Sequence, residues 1–164
     1  MQNNKEMKQT LIMLFLAAGT LVASEDLNLT QKESRIVTSQ GEMAVTEYFR
    51  GDSLILKKVV PPDKSLNTVY YVIHNGFEVL TYKFGPTGTE FTGAGVIRDQ
   101  VKPDYTIKMV GDKEGRIQRI MLYSPDFTKT YEGYWLKNHE LIPWTAGELA
   151  GWRKMRDPEA RDKK

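Results

Sequence analysis

The sequence contains no cysteine, and this absence excludes several kinds of site at once. A chain without thiols forms no disulfide, offers no thiolate nucleophile or cysteine-bound metal, and carries no lipid on a cysteine. Small exported domains often use disulfides when their core is too small to hold them together. The absence therefore indicates a core that suffices without cross-links, and it does not argue against export.

A strong net charge is also missing. The chain has 23 Lys and Arg residues against 21 Asp and Glu residues, which gives a formal net charge of +2. The two signs are interspersed along the sequence, whereas a nucleic-acid-binding face needs basic residues gathered together. No nucleic-acid partner is predicted.

Recognisable catalytic motifs are absent as well. There is no G-x-S-x-G or S-x-x-K sequence, and the glycine-rich stretch 85–95 lacks the Lys-Ser/Thr ending of a phosphate-binding loop. The two histidines, His74 and His139, lie in predicted turns and could join Glu140 as metal ligands. Turn histidines are more often solvated surface residues, so neither a metal nor a cofactor is predicted.

The first 24 residues have the three parts of a secretory signal peptide. A polar start with Lys5 and Lys8 precedes the uncharged run LIMLFLAAGTLVA at 11–23, and small residues come before a polar break. Cleavage after Ser24 is favoured because it places Val22, rather than the larger Leu21, three residues before the cut. An uncleaved anchor would need about 20 apolar residues. A buried core helix would show polar residues at helical spacing.

The predicted product is an exported protein, periplasmic or secreted, that meets the membrane only through its transient signal peptide. Removing 24 of 164 residues leaves 140, and loss of two lysines and one glutamate lowers the net charge from +2 to +1. That length suits one domain with a real core. We expect a polar lead-in over 25–41, a single β-rich domain over 42–157, and a disordered tail over 158–164.

Short runs of β-branched and aromatic residues alternate with turn residues from residue 42 onward, a pattern typical of antiparallel structure. Asn75-Gly76 is the strongest turn, because this dipeptide readily adopts the positive φ angles of a type I′ hairpin. The fold predicted is mainly β: an antiparallel meander, small barrel or curved sheet of about seven to nine strands, preceded by a signal-peptide helix. The predicted strands span 43–50, 54–60, 68–74, 77–84, 90–97, 105–110, 116–123, 130–136 and 140–143.

One α-helix is predicted at the C-terminus, over 145–157. Thr145 and Glu148 match a capping box, in which each side chain accepts a hydrogen bond from a free backbone N–H group of the other residue. Leu149, Trp152 and Met155 then form an apolar stripe. We expect the helix to dock on the sheet through Trp152 and Trp144.

The candidate ligand-binding residues lie in one stretch of the chain. Glu132 is a carboxylate among aromatic neighbours, an arrangement found in sugar-binding clefts, although the favoured interpretation is that it points outward from its strand. The candidates are Tyr131, Glu132, Tyr134, Trp135 and His139.

Three functions remain open from the sequence. The favoured one is a non-catalytic module that binds a glycan, a peptide or an envelope protein, because no catalytic motif accompanies the aromatic cluster. The second is a small hydrolase that uses carboxylate and histidine chemistry near Glu132 and His139. The third is a structural component of the cell envelope that assembles through strand edges. A pocket shared by Glu132, His139 and Trp135 would favour the hydrolase.

The signal-peptide assignment predicts the N-terminus of the exported protein. Protein recovered from the exporting cell's envelope or medium should begin at Glu25, because the peptidase accepts small residues before the cut. N-terminal sequencing and intact mass measurement check this. A protein that keeps Met1 outside the cytoplasm would instead identify the segment as an uncleaved anchor.

Overall fold

The computed structural model describes residues 27–93 and 104–158 of the chain. The predicted signal peptide, its helix and nearly all of the predicted tail lie outside these residues. Within them, the protein is mainly β: ten strands form two antiparallel sheets, and one helix follows the last strand. The predicted class, antiparallel β with a C-terminal helix, is confirmed.

The larger sheet is a six-stranded meander in which each strand pairs with the next along the chain. Its order is therefore the order of the sequence. The strands are β1 Leu29–Thr38, β2 Gly41–Arg50, β3 Ser53–Val60, β4 Thr68–His74, β5 Phe77–Gly85 and β6 Gly88–Gly93.

The smaller sheet has four strands and is also a meander, with the order β10-β9-β8-β7. The helix α1 spans Ala146–Arg156 and carries the predicted capping box at Thr145 and Glu148. The strands are β7 Thr106–Gly111, β8 Ile117–Tyr123, β9 Thr130–Lys137 and β10 Glu140–Pro143.

The polar lead-in expected over 25–41 is wrong for most of that segment. It contains β1, which pairs with β2 without interruption from Leu29 opposite Arg50 to Thr38 opposite Gly41. β1 is an edge strand whose side chains are mostly exposed or half-buried, so it lacks the apolar alternation that marks a strand with one face in the core. Its sequence therefore resembles a loop.

Two hairpin turns have the backbone conformation of type I′. At Asn75-Gly76 the φ angles are 49° and 80°, as the sequence predicts, and at Asn138-His139 they are 50° and 64°. The second turn joins β9 to β10 and uses two non-glycine residues with positive φ.

The main core lies between the two sheets. Its buried residues come from both, with Leu56 and Tyr82 in the larger sheet and Ile120 and Tyr134 in the smaller one among those almost fully enclosed. Burying such side chains contributes about 1.5–3 kcal/mol each to folding. This packing holds the sheets face to face.

A second core lies on the other face of the smaller sheet, beneath α1. Met121, Tyr123, Trp144 and Leu149 are buried together there, with Trp152 packed against them. Successive residues of β8 thus enter opposite cores, which explains the unbroken apolar run Ile120–Tyr123 in the sequence. The helix docks through Trp144 and Trp152, as expected.

Gly133 is the point on β9 where Trp144 lies directly on the backbone. A Cβ atom at residue 133 would fall 2.1 Å from the Trp144 ring, and the Trp144 amide donates to the Gly133 carbonyl at 2.8 Å. A glycine at this position is therefore required by close approach rather than by φ.

Replacing Gly133 with alanine should destabilise the protein by about 3 kcal/mol or more, because neither the strand nor the enclosed indole can retreat. Gly151→Ala is the matched control. A Cβ at residue 151 meets nothing within 4 Å, and alanine in an exposed helix should stabilise by about 0.5–1 kcal/mol. Urea unfolding measures both free energies; equal effects of the two substitutions would contradict this packing.

Candidate functional site

Glu132 does not point outward as the sequence favoured; it is buried in an ion pair. Arg50 Nε donates a hydrogen bond to Glu132 Oε1, and Arg50 Nη2 donates one to Glu132 Oε2, both at 2.9 Å. Only 5% of Glu132 and 7% of Arg50 is exposed. The reason is that β9 is covered on both faces, by the larger sheet and by α1, so the strand has no solvent face at this position.

Arg50 also binds two backbone carbonyls. Its Nη1 donates to the Leu27 carbonyl at 3.1 Å, and its Nη2 donates to the Trp144 carbonyl at 2.7 Å. The guanidinium thereby joins the approach to β1, the strand β9 and the residue before the helix cap. Glu132 has a structural partner at both oxygens, which leaves it unsuited to general acid or base catalysis.

Tyr131 and Tyr134 are also held by structural contacts. Tyr131 is half-buried and stacks on His74, with ring centroids 4.7 Å apart. Tyr134 is wholly buried, and its hydroxyl donates to the Ile55 carbonyl at 3.0 Å. Burial raises the pKa of Tyr134 well above its ordinary value, so this phenol remains a neutral hydrogen-bond donor.

Trp135 lies on the helix side of β9. Its indole N–H donates to Glu148 Oε1 at 3.2 Å, and its ring lies 5.6 Å from that of Trp144. Lys137 Nζ is 5.1 Å from the Trp135 ring centroid. The ring is half-buried rather than an open platform.

His139 is exposed in the β9–β10 turn, where its ring stacks on Phe84 with a centroid distance of 3.9 Å and an interplanar angle of 5°. It lies in a different part of the molecule from the Glu132–Arg50 pair. Tyr131 and Glu132 thus line one small cavity of about 230 Å³ together with Arg50 and His74, whereas Tyr134, Trp135 and His139 lie in the core, the helix layer and the turn.

An open cleft lies between β5 and β6 of the larger sheet and two hairpin turns of the smaller sheet, and His139 is part of it. We call it the end cleft; its volume is about 750 Å³, within the roughly 300–1,000 Å³ of small-molecule sites. β6, the β7–β8 turn and the β9–β10 turn all contribute to its lining. The lining residues are Tyr82, Thr89, Phe91, Asp112, Gly115, Arg116, Ile117, Gln118, Leu136, Lys137, Asn138 and His139.

Aromatic rings form one side of the end cleft. Tyr82 stacks on Phe91 at 4.7 Å between centroids, and Tyr70 stacks on Tyr82 at 5.5 Å. The Tyr82 hydroxyl donates to the His139 carbonyl at 3.4 Å. Burial raises the pKa of Tyr82 to about 12, which keeps the hydroxyl protonated at neutral pH.

The β7–β8 turn forms a rigid polar side. Asp112 accepts hydrogen bonds from the backbone amides of Glu114 and Arg116 at 3.0 and 2.9 Å, and Arg116 Nε donates to its other oxygen at 2.8 Å. The hydrogen bond from the Arg116 amide lowers the pKa of Asp112 most, and the bond from the Arg116 side chain lowers it further. This carboxylate stays charged and fixed within its own turn.

The lining offers little for hydrolysis. Glycosidases need two carboxyl groups at a controlled separation, and Asp112 is the one acidic residue among the described residues that line the end cleft. Within residues 27–93 and 104–158, no group of three or more His, Asp and Glu residues could hold a metal ion.

Comparison with known proteins found no match among family models, curated proteins or solved structures. Over the part of the chain that the structure describes, no helix has the length and apolar character to cross a membrane.

Sequence reasoning included His139 but missed Tyr82, Phe91 and Asp112. The available signal was the set of aromatic residues that fall opposite one another once the hairpins are paired: Tyr70 faces Tyr82 across β4–β5, and Tyr82 faces Phe91 across β5–β6. The cleft itself forms only when the two sheets pack against each other, and local sequence patterns do not predict that packing.

Glu132→Gln should lower the free energy of unfolding by about 3–5 kcal/mol, because a buried guanidinium would lose its counter-charge and face an amide N–H₂ group. The control is Glu42→Gln, the same substitution in the exposed Arg35–Glu42 pair, 3.2 Å apart, and it should cost about 0–1 kcal/mol. Chemical denaturation compares the two variants. A loss at Glu132 no larger than that at Glu42 would contradict the structural role of the buried pair.

Proposed function

We propose that this chain is an exported, non-catalytic binding module that takes a glycan in the end cleft. The observation that carries the proposal is the cleft itself, an open depression with aromatic rings on one side and fixed polar groups on the other. The ligand would be a carbohydrate of the cell envelope or its surroundings, since the N-terminal segment predicts export.

The aromatic side fits the apolar face of a sugar ring. Phe91 is half-buried, and it is supported from behind by Tyr82 and Tyr70 in a continuous stack. Such support holds the ring in one orientation before a ligand arrives, which lowers the ordering cost of binding. Aromatic side chains of this kind are the usual energetic anchors of a binding site.

The polar side fits hydroxyl groups. Gln118 and Asn138 present amides that both donate and accept, while Arg116 and Lys137 add donors at the same cleft. Arg116 is held in place by Asp112 and by Glu114, whose Oε2 lies 3.0 Å from Nη2. Ligand sites combine an apolar surface with a few placed polar groups in this manner.

The hydrolase alternative is disfavoured by the same geometry. Glu132 is buried against Arg50, and His139 lies at the end cleft with its ring stacked on Phe84. Trp135 belongs to the helix layer. Because these three residues do not surround one pocket, the constellation that would favour a hydrolase is not formed.

Binding to an array of glycans of varied composition, followed by calorimetry on the best ligand, tests the proposal. Phe91→Ala should weaken binding about ten-fold or more, because the stacking surface is removed. Gln118→Ala, at an exposed strand position that the fold does not need, should weaken binding without changing stability.

Phe77→Ala is the matched control, since Phe77 is 74% exposed at the opposite end of β5 and does not line the cleft. Its affinity should equal that of the unaltered protein. If Phe91→Ala and Gln118→Ala both bind as tightly as this control, the end cleft is not the binding site. Release of shortened glycan products would favour the hydrolase.

A further inference from the structure

The free edges of the two sheets differ in how well they could accept another strand. β10 is four residues long and ends at Pro143, which has no amide hydrogen; β7 has a register shift at Gly111; and β6 is six residues long with glycine at both ends. Short length, proline and irregular register are devices that block edge-to-edge pairing.

β1 has none of these devices. It runs for ten residues, LTQKESRIVT, without glycine or proline, and its register with β2 is unbroken. Its other side has no strand partner among residues 27–93 and 104–158. An apolar residue, Val37, is 60% exposed on it. Such an edge can accept an added strand through main-chain hydrogen bonds.

We infer that the occupant of this edge is a second copy of the chain, with β1 pairing antiparallel to β1 across a two-fold axis at Ser34. The charges of the strand carry this inference. In that register Glu33 of each copy lies directly opposite Arg35 of the other, which gives two equivalent ion pairs. A two-fold interface must be self-complementary, and this sequence is so about Ser34.

Neighbouring registers lose that complementarity. An axis between Glu33 and Ser34 would pair residues whose side chains lie on opposite faces of the sheet, and an axis on Glu33 or on Arg35 places like charges directly opposite each other. Like charges facing across strands are destabilising, whereas opposite charges stabilise. The axis on Ser34 also pairs nine of the ten residues of β1 and brings Val37 against Gln31 of the second copy.

The side chains needed for these pairs are accessible. Glu33 and Arg35 are exposed, and the bond of Arg35 to Glu42 within one chain is a surface pair with 66% and 51% of the side chains exposed. An exposed pair of this kind contributes little, so Arg35 is free to shift to a second copy. The product is a continuous twelve-stranded sheet made from two six-stranded ones.

A charge-exchange experiment on the full chain tests both the dimer and its register. The substitution Glu33→Lys should place a lysine opposite Arg35 of the second copy, and Arg35→Glu should place a glutamate opposite Glu33 of the second copy. Each variant alone should dimerise about ten-fold or more weakly than the unaltered protein, measured by analytical ultracentrifugation. Mixed together, they should form a heterodimer in which both cross-strand pairs are again of opposite charge.

Cysteine cross-linking provides the second measurement, because the chain has no cysteine of its own. Ser34→Cys should form a disulfide-linked dimer under mild oxidation, since opposed Cα atoms in antiparallel strands lie about 4.5–5.5 Å apart and disulfides span about 4.4–6.8 Å. Gln31→Cys is the control, because the two thiols would be six residues apart along the strands, about 20 Å.

A chain that sediments as a monomer at every concentration up to its solubility limit overturns the inference. So does a dimer whose strength is unchanged by both charge variants, or one that cross-links through residue 31 rather than residue 34. None of these results depends on glycan binding, so the dimer and the proposed function fail or stand separately.

Discussion

The buried pair between Arg50 and Glu132 is the interaction on which the arrangement of the layers depends. Moving two charges out of water is costly, and the attraction between them offsets that cost only when the remaining donors are also satisfied. Here Arg50 makes four hydrogen bonds, to both carboxylate oxygens and to two carbonyls. Those partners come from the approach to β1, from β9 and from the residue before the helix cap, so the pair sets how the two sheets and the helix meet.

The same arrangement explains where the protein can and cannot interact. β9 is enclosed between the larger sheet and α1, so its aromatic residues serve packing: Tyr134 in the main core and Trp135 in the helix layer. The surfaces that remain open for recognition lie away from the enclosed part of β9, at the end cleft and at the edge strand β1. The end cleft forms between β5, β6 and two hairpin turns of the smaller sheet, and the free edge of β1 lies at the margin of the larger sheet.

The sequence predicted the turns and the helix cap, which depend on the preferences of a few neighbouring residues. It predicted less well the features that depend on contacts between residues far apart in the chain. The Asn75-Gly76 hairpin and the capping box at Thr145 follow from residue preferences over a few positions. The doubly buried run Ile120–Tyr123 follows from its lack of alternation. By contrast, β1 was missed because both of its faces tolerate polar residues. The burial of Glu132 depended on Arg50, 82 residues away, and the stack of Phe91 on Tyr82 depended on strand pairing.

The three tryptophans are gathered in one layer of the molecule. Trp144 lies 5.6 Å from Trp135 and 5.4 Å from Trp152, which is a residue of α1, whereas the end cleft is lined by tyrosine and phenylalanine. Indole emission is therefore a local reporter for the docking of the helix. Tyrosine signals do not separate the two layers in this way, because Tyr70 and Tyr82 lie in the main core and Tyr123 lies in the second.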